Sequence, residues 1–165
     1  KLAGTGLRIG FLRVPRQLVS AFGIALRATT LMASPFNAEW ATRLLESRRI
    51  DQVVAAMRAE TQARQALVAG LLPRQAILTQ PNAYYFCLKL GNGWSAEAYT
   101  QAAEEAGVGV TPISLFEVSS LYQSDTVRVC VNAAPDRETL REALEKLAGL
   151  LEAGAPPTVR FRGAV

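Results

Sequence analysis

The sequence predicts an α/β chain: a short strand and three helices come first, then an α+β module in which short strands alternate with two helices. Three observations carry this. Up to about residue 72 the apolar residues recur at helical spacing, whereas from Ala76 onward they bunch into short runs bounded by Gly, Pro and Asn. Helix start and stop residues fall where those patterns begin and end.

Taken in order, Ile9 to Val14 reads as a short strand stopped by Pro15. Pro15 suits a first helical position, and Leu18, Phe22 and Leu26 follow at four-residue spacing. Ser34-Pro35 is a second start, with Ser34 as the cap and Pro35 at N1; Phe36, Trp40, Leu44 and Leu45 line one face of the helix behind it. After Arg48 a long helix carries Ile50, Val53, Val54, Met57, Leu67, Val68 and Leu71 as its apolar stripe and ends before Pro73. Ala76 to Thr79 and Tyr84 to Leu90 then read as strands separated by the turn residues Pro81-Asn82. Beyond the loop Gly91-Asn92-Gly93, Ser95 caps a helix that runs to about Ala106 and stops at Gly107. Val108 to Thr111 and Thr126 to Val131 are two further strands. Pro135 opens a last helix with Asp136 and Glu138 early and Lys146 late, as the helix dipole favours; its buried face is Leu140, Leu144, Leu147 and Leu151.

Composition narrows the chemistry. The 165 residues are half apolar with a net charge of +4, which describes a folded globular chain. The charge is dispersed, as on a solvated surface rather than in a nucleic-acid groove. No apolar run approaches the ~20 residues of a membrane helix. Histidine is absent, which removes His-based triads, His-metal sites and imidazole acid–base chemistry. Cys87 and Cys130 lie in apolar strand-like runs and are expected to be buried, reduced thiols of a cytosolic protein. The chain opens without methionine inside a glycine-rich phrase, the expected look of a fragment.

What chemistry remains must use lysine, arginine, carboxylates or a cofactor. Of three lysines, Lys146 belongs to the polar face of its helix and Lys89 alternates outward in its strand. Lys1 precedes Leu2-Ala3-Gly4-Thr5-Gly6-Leu7-Arg8-Ile9-Gly10-Phe11, where glycines let backbone approach a ligand and Arg8 stands at the mouth of the strand. An amine and a guanidinium on one tight loop suit an aldehyde cofactor that carries a phosphate: the amine forms an imine and the arginine fork holds phosphate oxygens. On residue chemistry alone the phrase is more often an ordinary turn into a strand. Arg128 lies in Thr126-Val127-Arg128-Val129-Cys130-Val131, and a charge within an apolar strand calls for a partner, for a snorkelling stem, or for a ligand.

The phrase from Lys1 to Phe11 resembles the lysine motif of fold-type-I aminotransferases that use pyridoxal 5'-phosphate (PLP), commonly Ser-Lys-x-Leu-x-Pro-Gly-Leu-Arg-Ile-Gly-Tyr/Phe. Thr5 replaces the usual proline and Ala3 the usual leucine, while Gly6-Leu7-Arg8-Ile9-Gly10 is intact. Val108-Gly109-Val110-Thr111-Pro112 with Phe116 resembles the family's Gly-Val-x-Val-x-Pro-Gly-x-x-Phe stretch, with Ser114 where glycine is usual. Val127-Arg128-Val129-Cys130 resembles its Leu-Arg-Leu-x-Phe strand. The resemblance covers the whole chain. It implies that Lys1 is the catalytic, Schiff-base lysine, that Arg8 binds the cofactor phosphate, and that Arg128 pairs with a substrate carboxylate.

It also implies an architecture: residues 1–33 as the last strand and helix of a PLP-binding large domain, and residues 34–165 as the C-terminal small domain. Thr30-Leu31-Met32-Ala33-Ser34-Pro35 through Ala41-Thr42-Arg43 is most similar to MocR-type regulators of the GntR class, which join a winged helix-turn-helix to an aminotransferase-like domain. The expected function is then sensing of PLP and an amino acid or amine in a cytoplasmic homodimer that meets DNA only through an N-terminal domain outside this chain, with no membrane partner and no metal. A free-standing amino-acid aminotransferase shares every residue seen here, and an inactive structural fragment is the third reading.

Overall fold

The computed structural model of the chain describes residues 6, 8–47, 49–118 and 124–156. It divides into two compact units, Lys1–Arg58 and Ala59–Val165.

In the first unit a 3₁₀ turn, Arg16–Leu18, leads into α1 (Val19–Thr30), and α2 spans Pro35–Glu46. The Ser34 cap forms as expected: its hydroxyl accepts from the Asn37 amide at 3.4 Å, with Pro35 at the first helical position. Between the helices Leu31 takes φ 61° and ψ −67°, and the Met32 amide donates to the Thr30 carbonyl at 2.7 Å. That pairing closes a γ-turn of the positive-φ kind, a strained conformation for a residue with a Cβ. The strand expected over Ile9 to Val14 does not form; residues 8–15 carry no regular structure. A β-strand exists only through a ladder to a neighbour, and the sheet's strands all lie beyond residue 76.

Helix α3 (Arg49–Leu71) crosses the division between the units. The second unit then builds a four-stranded antiparallel sheet in the order β1-β2-β4-β3 from β1 (Ile77–Leu78), β2 (Tyr85–Lys89), β3 (Thr111–Pro112) and β4 (Thr126–Cys130). The strand expected at Val108 to Thr111 is shifted and shortened to Thr111–Pro112, since Val108 instead closes α4 (Ala96–Glu105) by donating to the Ala103 carbonyl. Ser95 caps α4 and Gly107, at φ 79°, stops it. The last helix, α5 (Arg137–Ala153), starts two residues after Pro135, because Asp136 is its cap and accepts from the Thr139 amide at 2.7 Å.

Strand alternation sets the core. Phe86 and Leu88 of β2 and Val127 and Val129 of β4 turn to one face, where Tyr99 and Ala103 of α4 and Leu140, Leu144, Leu147 and Leu151 of α5 complete a buried cluster. Tyr85, Cys87, Lys89, Thr126, Arg128 and Cys130 take the opposite face. Burial of the cysteines is thereby corrected: Cys87 is half-buried and Cys130 exposed, because both occupy positions of this second face.

Polar residues do much of the joining. α3 offers the core Thr61, Arg64, Gln65 and Val68, a helical i, i+3, i+4, i+7 stripe of which three members are polar. Arg64 Nη1 donates to the carbonyls of Val131 at 2.9 Å and Ala134 at 2.8 Å, Nη2 reaches Pro135, and Nε donates to Glu60 at 2.7 Å. At the far end of α5, Trp94 donates to the Leu150 carbonyl at 3.0 Å and Asn92 to that of Leu151 at 2.8 Å, capping orphan acceptors of the last turn. Lys146 Nζ does the same for α4 through the Ala106 carbonyl at 3.0 Å.

Candidate functional site

The second face of the sheet holds the candidate site. Register places Arg128 opposite Cys87 on β2 and opposite Thr111 on β3, and Leu78 continues the row from β1. Arg128 is therefore central, with a neighbour strand on each side. After β3 the chain makes a 3₁₀ turn, Ile113–Phe116, that brings the Phe116 ring to 4.4 Å from the guanidinium carbon. The Tyr85 ring, on the diagonal position of β2, lies 5.5 Å away.

The guanidinium thus lies over two aromatic rings, an arrangement that stabilises a cation. Its Nε is buried without a hydrogen-bond partner, and no carboxylate of the described residues pairs with Arg128. Of the readings open from sequence, an intramolecular salt bridge is therefore not what these residues form. Beside it, burial pushes the Cys87 thiol above its ordinary pKa while the Arg128 charge pulls the other way. A protonated, half-buried thiol is a neighbour of the cation rather than a nucleophile.

The other expected residues fall elsewhere. Lys1 lies outside the described residues. Arg8 is exposed, takes a left-handed backbone at φ 50°, and forms no ion pair with a described residue. Positive φ in a non-glycine residue is uncommon outside turns and ligand-binding loops. A solvent-facing guanidinium with no carboxylate partner among the described residues has the charge and donor set that an anionic phosphate requires. Lys89 points outward as expected. A cavity of about 720 Å³ opens beside Lys89, lined also by Leu71, Pro73, Asn92, Leu151 and Glu152, and does not include Arg128. Among the described residues no cluster of three or more metal-ligating side chains occurs, and no helix is long and apolar enough to cross a membrane.

Sequence reasoning missed Tyr85, and quoted Phe116 only as part of a resemblance. The available signal for Tyr85 was its two-residue offset from Cys87, which puts both on the face of Arg128 once the strands pair.

Comparison with known proteins shows what the chain as a whole is similar to. The family model for aminotransferase class I and II matches residues 1–147. An uncharacterized HTH-type transcriptional regulator of Bacillus subtilis, YdeF, is 28% identical over 152 residues, covering 92% of this chain and 33% of the relative. The aromatic aminotransferase of Pyrococcus horikoshii superposes with a TM-score of 0.74 at 25% identity, over 92% of this chain and 40% of that one. LysN, the alpha-aminoadipate aminotransferase of Thermus thermophilus, solved with N-(5'-phosphopyridoxyl)-L-leucine, gives 0.72 at 24% identity, over 90% and 39%. The chain thus spans about a third of the regulator and about two fifths of the enzymes. Its helices and small antiparallel sheet are the fold-type-I aminotransferase architecture over that span.

Proposed function

We propose, from the premise that this chain belongs to the aminotransferase class I and II family, that it is the C-terminal part of a PLP-dependent, aminotransferase-like effector domain in a GntR/MocR-type transcriptional regulator. The likeness to an HTH-type regulator over 92% of the chain supports the regulatory setting. The whole protein is then a cytoplasmic homodimer that binds PLP and an amino acid or amine, and contacts DNA through an N-terminal domain beyond this chain. Residues 1–33 end the PLP-binding large domain and residues 34–165 form the small domain.

PLP, when bound, supplies the aldehyde and the electron sink for amino-compound chemistry. The chain supplies the rest. Lys1 Nζ is the amine that engages the cofactor aldehyde, Arg8 holds its phosphate, and Arg128 orients the carboxylate of the amino acid. The observation that carries this reading is Arg128 itself: a half-buried guanidinium on the sheet face opposite the core, lying over two rings and paired with no described carboxylate. A bidentate carboxylate is the partner whose geometry it matches.

The solved aminotransferases of the same fold favour a second reading, a free-standing enzyme, in which Lys1 Nζ would also serve as the proton carrier for the substrate's Cα once PLP is bound. The sequence encoded upstream of Lys1 separates the two, since a basic winged helix-turn-helix there decides for the regulator.

The test of Arg128 uses the whole protein. Arg128→Ala is expected to leave the PLP absorbance spectrum intact and to weaken amino-acid binding about ten- to a hundredfold, since a charge-assisted bidentate pair contributes ~1.5–3 kcal/mol. Amines without a carboxylate change far less. Loss of PLP on that substitution, or unchanged amino-acid affinity, makes Arg128 a structural residue instead.

A further inference from the structure

We infer that Phe116 is a positioning residue that fixes the guanidinium of Arg128, with Tyr85 as the second wall, so that a carboxylate is met end-on through the two Nη groups only; this rests on the reading of Arg128 as a carboxylate-binding residue.

A guanidinium offers a carboxylate two bidentate edges, one between the terminal nitrogens and one between Nε and a terminal nitrogen. In a strand arginine with open surroundings both are usable. Here the Nε is enclosed and has no acceptor. Burying an N–H without an acceptor costs free energy, so the enclosure must be compensated. The compensation present is aromatic: Phe116 at 4.4 Å and Tyr85 at 5.5 Å supply π faces to the cation. The two rings arrive on separate segments, one on β2 and one at the end of the 3₁₀ turn that follows β3. Pro112 pairs with Val127 in the sheet and also stands at the start of that turn, so the strand pairing that sets Arg128 sets Phe116 as well. With the Nε enclosed, the side-on edge is closed, and the pair of terminal nitrogens is the edge left for a carboxylate to use.

Phe116 is itself 52% exposed, so its position is not explained by core packing. Its ring is more useful over the cation than in the hydrophobic cluster, to which it does not belong. This makes Phe116 specificity-determining in a limited sense. It selects a planar anion that can meet two coplanar donors, and it holds those donors still before the ligand arrives.

The experiment uses the 165-residue chain with isotope-labelled arginine nitrogens, acetate as the carboxylate probe, and the variants Phe116→Leu, Phe116→Trp and Arg128→Lys, the last to identify the Arg128 resonances. The Arg128 Nε–H resonance is expected upfield of ordinary arginines through the ring currents, to return toward them in Phe116→Leu, and to stay shifted in Phe116→Trp. Acetate is expected to move the Nη resonances in the parent chain and in Phe116→Trp while the Nε–H stays silent. In Phe116→Leu the Nε–H should respond as well, and the apparent acetate affinity should fall about three- to tenfold. An ordinary Nε–H position in the parent chain overturns the role of Phe116, as does an unchanged acetate response in Phe116→Leu. Ring-current shifts present with no Arg128 resonance moved by acetate leave the aromatic contact standing and overturn the carboxylate reading, and with it the end-on selection.

Discussion

Residues 6–58 and residues 59–156 use the same device, the amphipathic helix, with opposite results. In the second unit the stripe Leu140, Leu144, Leu147 and Leu151 of α5 is buried throughout, with Leu144 and Leu147 fully so. In the first, the stripe of α2 leaves Phe36 79% and Trp40 46% exposed, and no described residue of the unit is buried. Both helices carry a side-chain cap, Ser34 in one and Asp136 in the other. What differs is the surface offered to them. The second unit owns a sheet whose strands turn Phe86, Leu88, Val127 and Val129 to one side, so its helices have something to cover. Capping and periodicity make a helix; a second apolar layer makes a core.

The sharpest way to break this comparison is to truncate one aromatic in each unit and follow unfolding in urea. Phe86→Ala is expected to cost ~3–5 kcal/mol, since its ring is fully buried and the sheet cannot close the cavity. Phe36→Ala is expected to change stability by no more than ~0.5 kcal/mol. A comparable loss at both sites means that the exposed stripe is contributing to the folded state of this chain after all.

A second substitution sharpens the contrast between polar groups. Arg64, with its side chain 8% exposed, holds three carbonyls of the turn between β4 and α5, whereas Arg43 on α2 is 77% exposed and, among the described residues, its side chain meets Glu39 alone. Arg64→Met keeps the stem but strands those carbonyls and leaves Glu60 to Arg137 alone, at an expected ~2–4 kcal/mol. Arg43→Met should cost less than ~0.5 kcal/mol. Thermal melts of the two variants suffice, and equal melting temperatures would show that the clamp adds nothing to the fold.

The same contrast explains which parts of the structure were legible in the sequence. α5, α4 and the caps Ser34 and Ser95 follow from local spacing and short-range hydrogen bonds, which the sequence writes directly. β2 and β4 follow from apolar runs, and their alternation separates Arg128 from the core. The buried face of α3 was illegible to hydropathy because Thr61, Arg64 and Gln65 are polar; only their helical spacing and the distant carbonyls they serve reveal them. Asn92 read as a loop residue and Trp94 carried no signal, because their work, closing α5, lies more than fifty residues away in sequence. Ile9 to Val14 shows the reverse error: an apolar run states a preference, and a ladder needs a neighbour. The contact of Phe116 with Arg128 depends on a turn geometry that no pattern of residue types encodes.

The smallest expected effect is in the pH dependence of the second unit. Glu60 bridges two arginines: Arg137 donates to it through Nη2 at 2.7 Å and Nε at 3.1 Å, and Arg64 through Nε at 2.7 Å. The hydrogen bonds from Arg137 and then Arg64 lower its pKa from 4.5 to about 2, against the opposing pull of burial. Because the folded pKa lies below the unfolded one, the unfolded chain binds more protons in the interval between them, and stability falls as pH falls through it. The contribution of the carboxylate is complete above the unfolded value of 4.5 and is lost on approaching about 2. Glu60→Gln removes this dependence while keeping the side chain's size and one acceptor oxygen. The parent chain should therefore be the more stable of the two above about pH 5, with the gap between their urea midpoints narrowing as pH is lowered toward about 2. Asp136, whose pKa is lowered first by its bond from the Thr139 amide, titrates in the same direction in both proteins, so the difference between them is set chiefly by Glu60. A gap that stays constant across the interval would mean that Glu60 acts through its shape alone, and that the arginine clamp beneath β4 needs no charge to hold.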